Sequence, residues 1–286
     1  MNTMHSDALM LTPLSVAVAY IHENGEELER ARLTGLLGRS RAEPKVARSL
    51  LARQNEDGGF PFGLIPGRPS AVSATTTALQ WMQDLRLLPS SYVERATAYL
   101  LTIQRPDGAW DESPGVLRYD PPAWARPGSA LSRACCTALT ASWLVRLRGR
   151  RYDAVARAAT FLRASRNDRW PADEPPQITA LVVAALLMVE GLSSPVASGG
   201  LEILRAHAPD GWTADCVTDA LTALHQGGVP EDDPLIATGL QRLVALQRTD
   251  GGWSSEFGVD HDVDLSLRAF SVLLAHGVCG PSAPPT

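Results

Sequence analysis

One short turn recurs along this chain and constrains its fold more than any other feature. The stretches "LLARQNEDGGFPFG" (50–63), "LLTIQRPDGAWDES" (100–113) and "LVALQRTDGGWSSE" (243–256) each run from an apolar helical end through Gln to Gly-x and an aromatic. Weaker copies are "LRASRNDRWPAD" (162–173) and "LRAHAPDGWTAD" (204–215), so the aromatics are Phe60, Trp110, Trp170, Trp212 and Trp253. A unit returning roughly every 40 to 60 residues marks a solenoid or closed toroid and overrides a domain count based on length. Each residue type in the turn has a structural task. The Gln amide can tie up helix-end carbonyls, Asp-Gly supplies a tight turn with positive φ, and the aromatic packs over the junction. None of these tasks is catalytic.

Between the turns the chain alternates two kinds of helical pattern. Segments 44–54, 92–104, 152–165, 198–208 and 235–247 carry one apolar face and one Arg- or Glu-bearing face, as expected of an outer layer. Segments 72–85, 131–147, 177–192, 215–228 and 262–277 are poor in charge and rich in Ala, Thr and Leu, as expected of buried inner helices. Segments 8–22 and 25–38 supply a sixth pair. No alternating strand pattern or Asn-Gly hairpin appears. The expectation is therefore an all-α, single-domain (α/α)6 barrel over 1–286, with tails at 1–7 and 278–286. The one long irregular stretch is 111–130, whose Pro and Gly stop helices. A loop of that length before an inner helix is expected to form a lid or cavity wall.

These turns resemble the QW repeats of the squalene-hopene and oxidosqualene cyclase and protein prenyltransferase β-subunit superfamily. The resemblance spans 44–277 and rests on Gln54 to Phe60, Gln104 to Trp110 and Gln247 to Trp253. It implies an α/α toroid whose inner helices line an apolar cavity that holds isoprenoid chains. The inner helices all begin just after a repeat turn, so their N-termini share one rim, which favours polar or anionic groups. The candidate rim residues are Ser70, Ser73, Thr75 to Thr77, Ser132 to Cys136, Gln177, Thr179, Asp215, Cys216, Asp219, Asp262 and Asp264.

The stretch "DHDVDLS" (260–266) resembles the DxDD(T) acid motif of class II terpene cyclases. Carried over, Asp264 becomes the general acid and Asp262 the first acidic position, with Leu265 where the last Asp stands and Ser266 where Thr follows. Such an acid must be kept neutral by burial and oriented by partners. The competing reading makes Asp262 the N-cap of helix 262–277, with Asp260 and Asp264 complementing its dipole. His261 is the candidate proton partner. Tyr119, Trp124, Thr76, Cys136, Thr179 and Asp219 are the candidate substrate contacts. Tyr119 and Trp124, with Trp81 and Trp143, are candidates to face cationic intermediates, although packing is the commoner role for Trp81 and Trp143.

The prenyltransferase branch of the resemblance implies zinc held by Asp, Cys and His. Asp215, Cys216 and His261 are the matching residues, but Asp215 and Cys216 are adjacent and point about 100° apart on a helix. No metal is therefore expected, with zinc as the alternative. His22, His225 and His276 sit at helix C-termini, where the dipole suits them structurally. The cysteines at 135, 136, 216 and 279 show no CxxC spacing, so they read as reduced thiols. "EDDP" (231–234) opens a helix and is no diphosphate-binding motif, and no P-loop, GxSxG, HExxH or dinucleotide fingerprint occurs.

Composition narrows the partners. A net charge of −5 disfavours nucleic acid and anionic membrane. The longest internal apolar run, 178–189, is too short to span a bilayer, and no basic residue precedes Arg30 to form a signal peptide. A cytoplasmic location is expected. The leading functional reading is a terpene cyclase-like enzyme that starts cyclisation by protonation from Asp264. The alternatives are a zinc-assisted prenyltransferase-like enzyme and a non-catalytic toroid that binds a lipid or a protein partner. The oligomeric state is left open.

Overall fold

The computed structural model describes residues 12–38, 40–166, 170–171, 173–207 and 209–278. The expected tails, apart from Val278, lie outside these residues, as do Cys279 and the turn residues 167–169 of the third repeat. The described chain forms twelve α-helices: α1 (Pro13–Asn24), α2 (Glu27–Leu36), α3 (Pro44–Leu51), α4 (Val72–Asp84), α5 (Ser91–Thr102), α6 (Ala130–Arg148), α7 (Asp153–Ala164), α8 (Pro176–Glu190), α9 (Pro195–Ala206), α10 (Ala214–Gln226), α11 (Pro234–Ala245) and α12 (Asp262–Ala275). The even-numbered helices pack side by side, α2 on α4, α4 on α6, and so on to α12, which closes the ring on α2. The odd-numbered helices lie against them from outside. The fold is an all-α toroid.

Local chemistry explains the helix starts. Ser90, Ser129, Ser194, Thr213 and Asp233 each accept a backbone N–H of the following helix through their side chains. Prolines fill the first turns of α1, α3, α8, α9 and α11, where their missing N–H has no consequence. One departure from the helical expectation follows the first repeat turn. There Phe60–Pro61 (β1) pairs antiparallel with Ser70–Ala71 (β2) around a 3-10 turn, because the prolines and glycines of 61–69 disfavour helix.

The repeat turns stitch outer helix to outer helix. The Gln54 amide donates to Gly58 O at 2.8 Å and to Tyr92 O at 3.0 Å. Gln104 does the same to Gly108 O and Ala154 O at 3.0 and 2.9 Å. Gln247 reaches Gly251 O and Pro13 O, both at 2.9 Å, so the last turn is tied to the first helix and the ring is closed. Each Gln thus satisfies a carbonyl within its own turn and one at the start of the next outer helix, a longer reach than the expected helix-end cap. Gly251 is required at its position: its φ is +92°, and a Cβ there would lie 2.3 Å from Val16 O.

The aromatics lock each turn to the outer helix before it and the inner helix after it. The Trp110 and Trp253 indoles donate to Leu100 O and Leu243 O at 2.6 and 2.7 Å. The backbone N–H groups of Phe60, Trp110 and Trp253 donate to Thr75, Thr137 and Ser266 hydroxyls. Gln247→Ala would leave two carbonyls at the ring closure without this donor. We expect it to lower unfolding free energy by about 1–3 kcal/mol, the range for an orphaned buried acceptor. Urea denaturation of the variant beside wild type measures this.

The 111–130 segment is more ordered than its composition implied. It contains 3-10 turns at Pro114–Tyr119 and Ala123–Ala125, and Val116 and Ala125 are fully buried. Asp111 ties its two ends by accepting from Gly128 N at 3.0 Å and from the Ser132 hydroxyl at 3.1 Å. No helix among the described residues is long and apolar enough to cross a membrane.

Candidate active site

The interior of the ring is asymmetric. Outer helices cover the backs of the inner ones, so partly accessible residues in the middle of inner helices face the lumen. On α4, α6 and α8 these are Thr77, Trp81, Leu139 and Leu181, none of them charged. On α10 and α12 they are Asp219, Thr222, Asp264, Arg268 and Ser271. One wall is apolar or neutral, and the other carries charge.

The charged wall is a continuous chain of ion pairs across four inner helices. Asp84 of α4 accepts from Gln80 at 2.8 Å and from Arg32 Nε of α2 at 3.0 Å. The other arm of Arg32 meets Asp264 Oδ1 at 2.7 Å. Asp264 Oδ2 accepts from Arg268 Nε at 3.1 Å, one helical turn further along α12. Arg268 then bridges to α10, pairing with Asp215 Oδ1 at 2.8 Å and with Asp219. Four carboxylates therefore surround two guanidiniums. Arg32 is almost wholly buried, and its planar cation stacks on Trp81 with 4.5 Å to the ring centroid.

Within this cluster the carboxyls differ. Asp264, although deeply placed, is held below the ordinary carboxylate range because Arg32 and Arg268 outweigh the desolvation that would raise it. That is the reverse of what a proton donor to an alkene needs. Asp219 is pushed up, first by burial and then by the neighbouring charges of Asp215 and Asp264, against the pull of Arg268. It also keeps 43% of its side chain accessible, against 30% for Asp264 and 27% for Arg268. Asp219 is the most accessible carboxylate of the cluster. Asp215 is fully engaged by Arg268 and by Glu256 N at 2.9 Å. Asp84 is raised by burial but has little accessible surface.

The remaining sequence candidates fall elsewhere. Asp262 is the first residue of α12 and not its cap. The cap position is His261, which makes no side-chain cap bond. The Asp262 carboxylate instead accepts from Ser255 N at 2.8 Å and pairs with Arg248, bracing the last repeat turn. Ser266 is committed to Trp253 N and Asp262 O. His261 is exposed and meets the Phe257 ring edge-on at 6.3 Å, with no hydrogen bond to the aspartates. Thr76 donates back to Val72 O and Ser73 O of its own helix, and Thr179 donates to Glu174, itself paired with Arg166. Cys136 is buried against Ser132, and burial pushes its thiol well up. None of these three side chains is free to contact a substrate. Tyr119 stacks on Phe62 with 6.3 Å between centroids and lies under Arg68, and Trp124 is half-buried in the same loop.

The zinc trio of the prenyltransferase pattern does not assemble. Asp215 is held by Arg268 and a backbone N–H, the Cys216 thiol is pushed up to about 12 by burial, and His261 points into solvent. Glu112 was not anticipated. Its buried carboxylate caps α4 by accepting Val72 N and Ser73 N, both at 2.8 Å. Arg32, Asp84 and Arg268 were also missed. Arg268 left a readable signal as the lone charge beyond the first turn of an otherwise apolar inner helix; Arg32 sat in a helix with ordinary charge content and left none.

No protein-family model and no curated protein matches this sequence. Solved structures do match by shape. The chain is similar to the type II terpene cyclase MstE from Scytonema in its apo form, at 15% identity and TM-score 0.60, over 93% of this chain and 98% of that one. It is similar to a protein from Actinoplanes at 16% identity and TM-score 0.62, over 93% and 98%. A variant of MstE in complex with merosterolic acid A, its product, aligns at 16% identity and TM-score 0.58, over 93% and 96%. The chain shares the fold of these structures.

Proposed function

We propose that the lumen takes an isoprenoid chain against the α4–α6–α8 wall and that the carboxylate–guanidinium wall opposite starts its cyclisation by protonation. The observation that carries this reading is the imbalance of four carboxylates around two guanidiniums, with Asp219 the most accessible member and the one held by a single hydrogen-bond donor, Arg268. In such a cluster a proton is best retained where donors to the carboxylate are fewest. Asp219 is therefore the acid, replacing Asp264 in that role, and Asp264 fixes Arg32 and Arg268 in place. A neutral carboxyl beside a water-poor lumen can hand its proton to an alkene carbon. The resulting cation moves along the chain as rings close, and loss of a proton ends the sequence, so product and substrate are isomers. Trp81, stacked on Arg32 at one face, supplies a π-surface beside this cluster. MstE, which shares the toroid, has been seen with geranylgeranyl dihydroxybenzoate as substrate, which supports the size and chemistry of cargo proposed here. A cytoplasmic location fits this reading.

The test is direct. The purified protein is incubated with geranylgeranyl and farnesyl compounds in D2O, and products are followed by mass and retention. A product with fewer alkenes than its substrate, carrying one non-exchangeable deuterium and otherwise of unchanged mass, is expected. Unchanged substrates at every chain length would overturn the reading.

A further inference from the structure

His225, Glu231 and His276 meet at the rim opposite the start of the inner helices. His225 lies in the last turn of α10, His276 follows the last residue of α12, and Glu231 lies in the turn leading to α11. One ligand atom from each, an imidazole nitrogen twice and a carboxylate oxygen once, lies within 4.8 Å of the other two. The two imidazoles touch edge to face, with centroids 4.8 Å apart. Among the described residues this is the one trio of His, Cys, Asp or Glu gathered so closely.

Three independent features favour a cation at this point. Both ring nitrogens of His276 are shielded from solvent and have no hydrogen-bond partner among the described residues, which a buried polar atom rarely tolerates. The C-terminal ends of two inner helices converge here, and their unpaired carbonyls carry partial negative charge. The donor set, two imidazoles and one carboxylate, suits zinc and neighbouring divalent ions and not magnesium or calcium, which take oxygen ligands. Tetrahedral ligands at ~2.0–2.2 Å from a metal stand roughly 3.4 Å apart. Side-chain rotation at the exposed His225 and Glu231 covers the difference.

We propose that His225, Glu231 and His276 bind one divalent transition metal, with Zn²⁺ as the best fit and a fourth position open to water. The metal would pin the end of the last inner helix to its neighbour α10. The site is separate from the lumen cluster and does not depend on the cyclase reading.

Metal-stripped protein titrated with ZnCl2 by calorimetry tests this. One Zn²⁺ per chain is expected, with a raised Tm, and at least tenfold weaker binding in His225→Ala and in His276→Ala. His225 and Glu231 are exposed, so His225→Ala and Glu231→Gln should fold as wild type, and their metal-free Tm values check this. Co²⁺ in place of zinc should give visible d–d absorption without a thiolate charge-transfer band. Failure to bind one equivalent, equal binding by wild type and both His variants, or a thiolate band pointing to a cysteine site would each overturn the proposal.

Discussion

Asp219→Asn is expected to lower turnover of an isoprenoid substrate by about 10²–10⁴-fold, the usual contribution of a general acid. Asn keeps the shape of the side chain and an acceptor for Arg268 but has no proton to give. KM should move little, because the apolar wall that would hold the substrate is untouched. Deuterium incorporation from D2O should fall with turnover. Asp264→Asn makes the informative comparison. Asp264 is held ionised between Arg32 and Arg268, so its loss should act on the position of the two cations, with a smaller drop in rate and a measurable loss of stability. If Asp264→Asn is dead and Asp219→Asn is active, the acid is Asp264 after all. In wild type, activity should fall as pH rises, because the raised Asp219 carboxyl must stay protonated to act.

Arg268→Met is expected to be clearly destabilising, at about 1–3 kcal/mol near neutral pH, with buried Asp215 the partner that suffers most and the more accessible Asp264 and Asp219 partly screened by solvent. Removing one side of a buried ion pair leaves the other charge without a partner. Here three carboxylates lose their shared cation, and only Asp264 keeps a second one in Arg32. The pH dependence carries a sign. In wild type the Asp264 carboxyl is depressed, so its contribution is present above its ordinary value of about 3.9 and is lost as pH falls through the folded value. In the variant, Asp219 loses the one cation that pulls its raised folded value down, so that value rises further and falling pH relieves it and stabilises the protein. Urea midpoints of the two proteins should lie far apart at pH 7 and converge towards pH 4. A gap independent of pH would mean that Arg268 acts mainly through packing.

The ring architecture was legible in the sequence because it is local and repeated. A Gln, an Asp-Gly and an aromatic at fixed offsets need no distant partner to be recognised, and the charge-poor segments between them sorted into inner and outer layers. The site was legible only in part. Asp264 and Asp219 could be named because they lie in the first two turns of inner helices, and all inner helices open on one rim. What Asp264 does there depends on Arg32, which is 232 positions away in sequence and is brought alongside only when the ring closes. The same holds for Asp262, whose capping role fails because Arg248 and Ser255 of the preceding turn claim its oxygens. Thr76, Thr179 and Cys136 look like polar wall residues in a linear pattern. In the folded protein their atoms are already committed to their own helices, to Glu174 or to the core.

The bond from Gln247 to Pro13 also sets an order on assembly. Most of the contacts in a ring like this join segments that follow one another along the chain, so they can form as synthesis proceeds. The first two helices are the exception. α1 rests on α12, Val16 lies beneath Gly251, and Arg32 waits for Asp264. A nascent chain must therefore carry an unhoused helix pair, with a buried-type arginine among its residues, until the last repeat has emerged. Contacts of such sequence separation slow folding and extend the period in which apolar surface is exposed. Helices α1 and α2 are made before the rest of the ring and are the last of it to find their place.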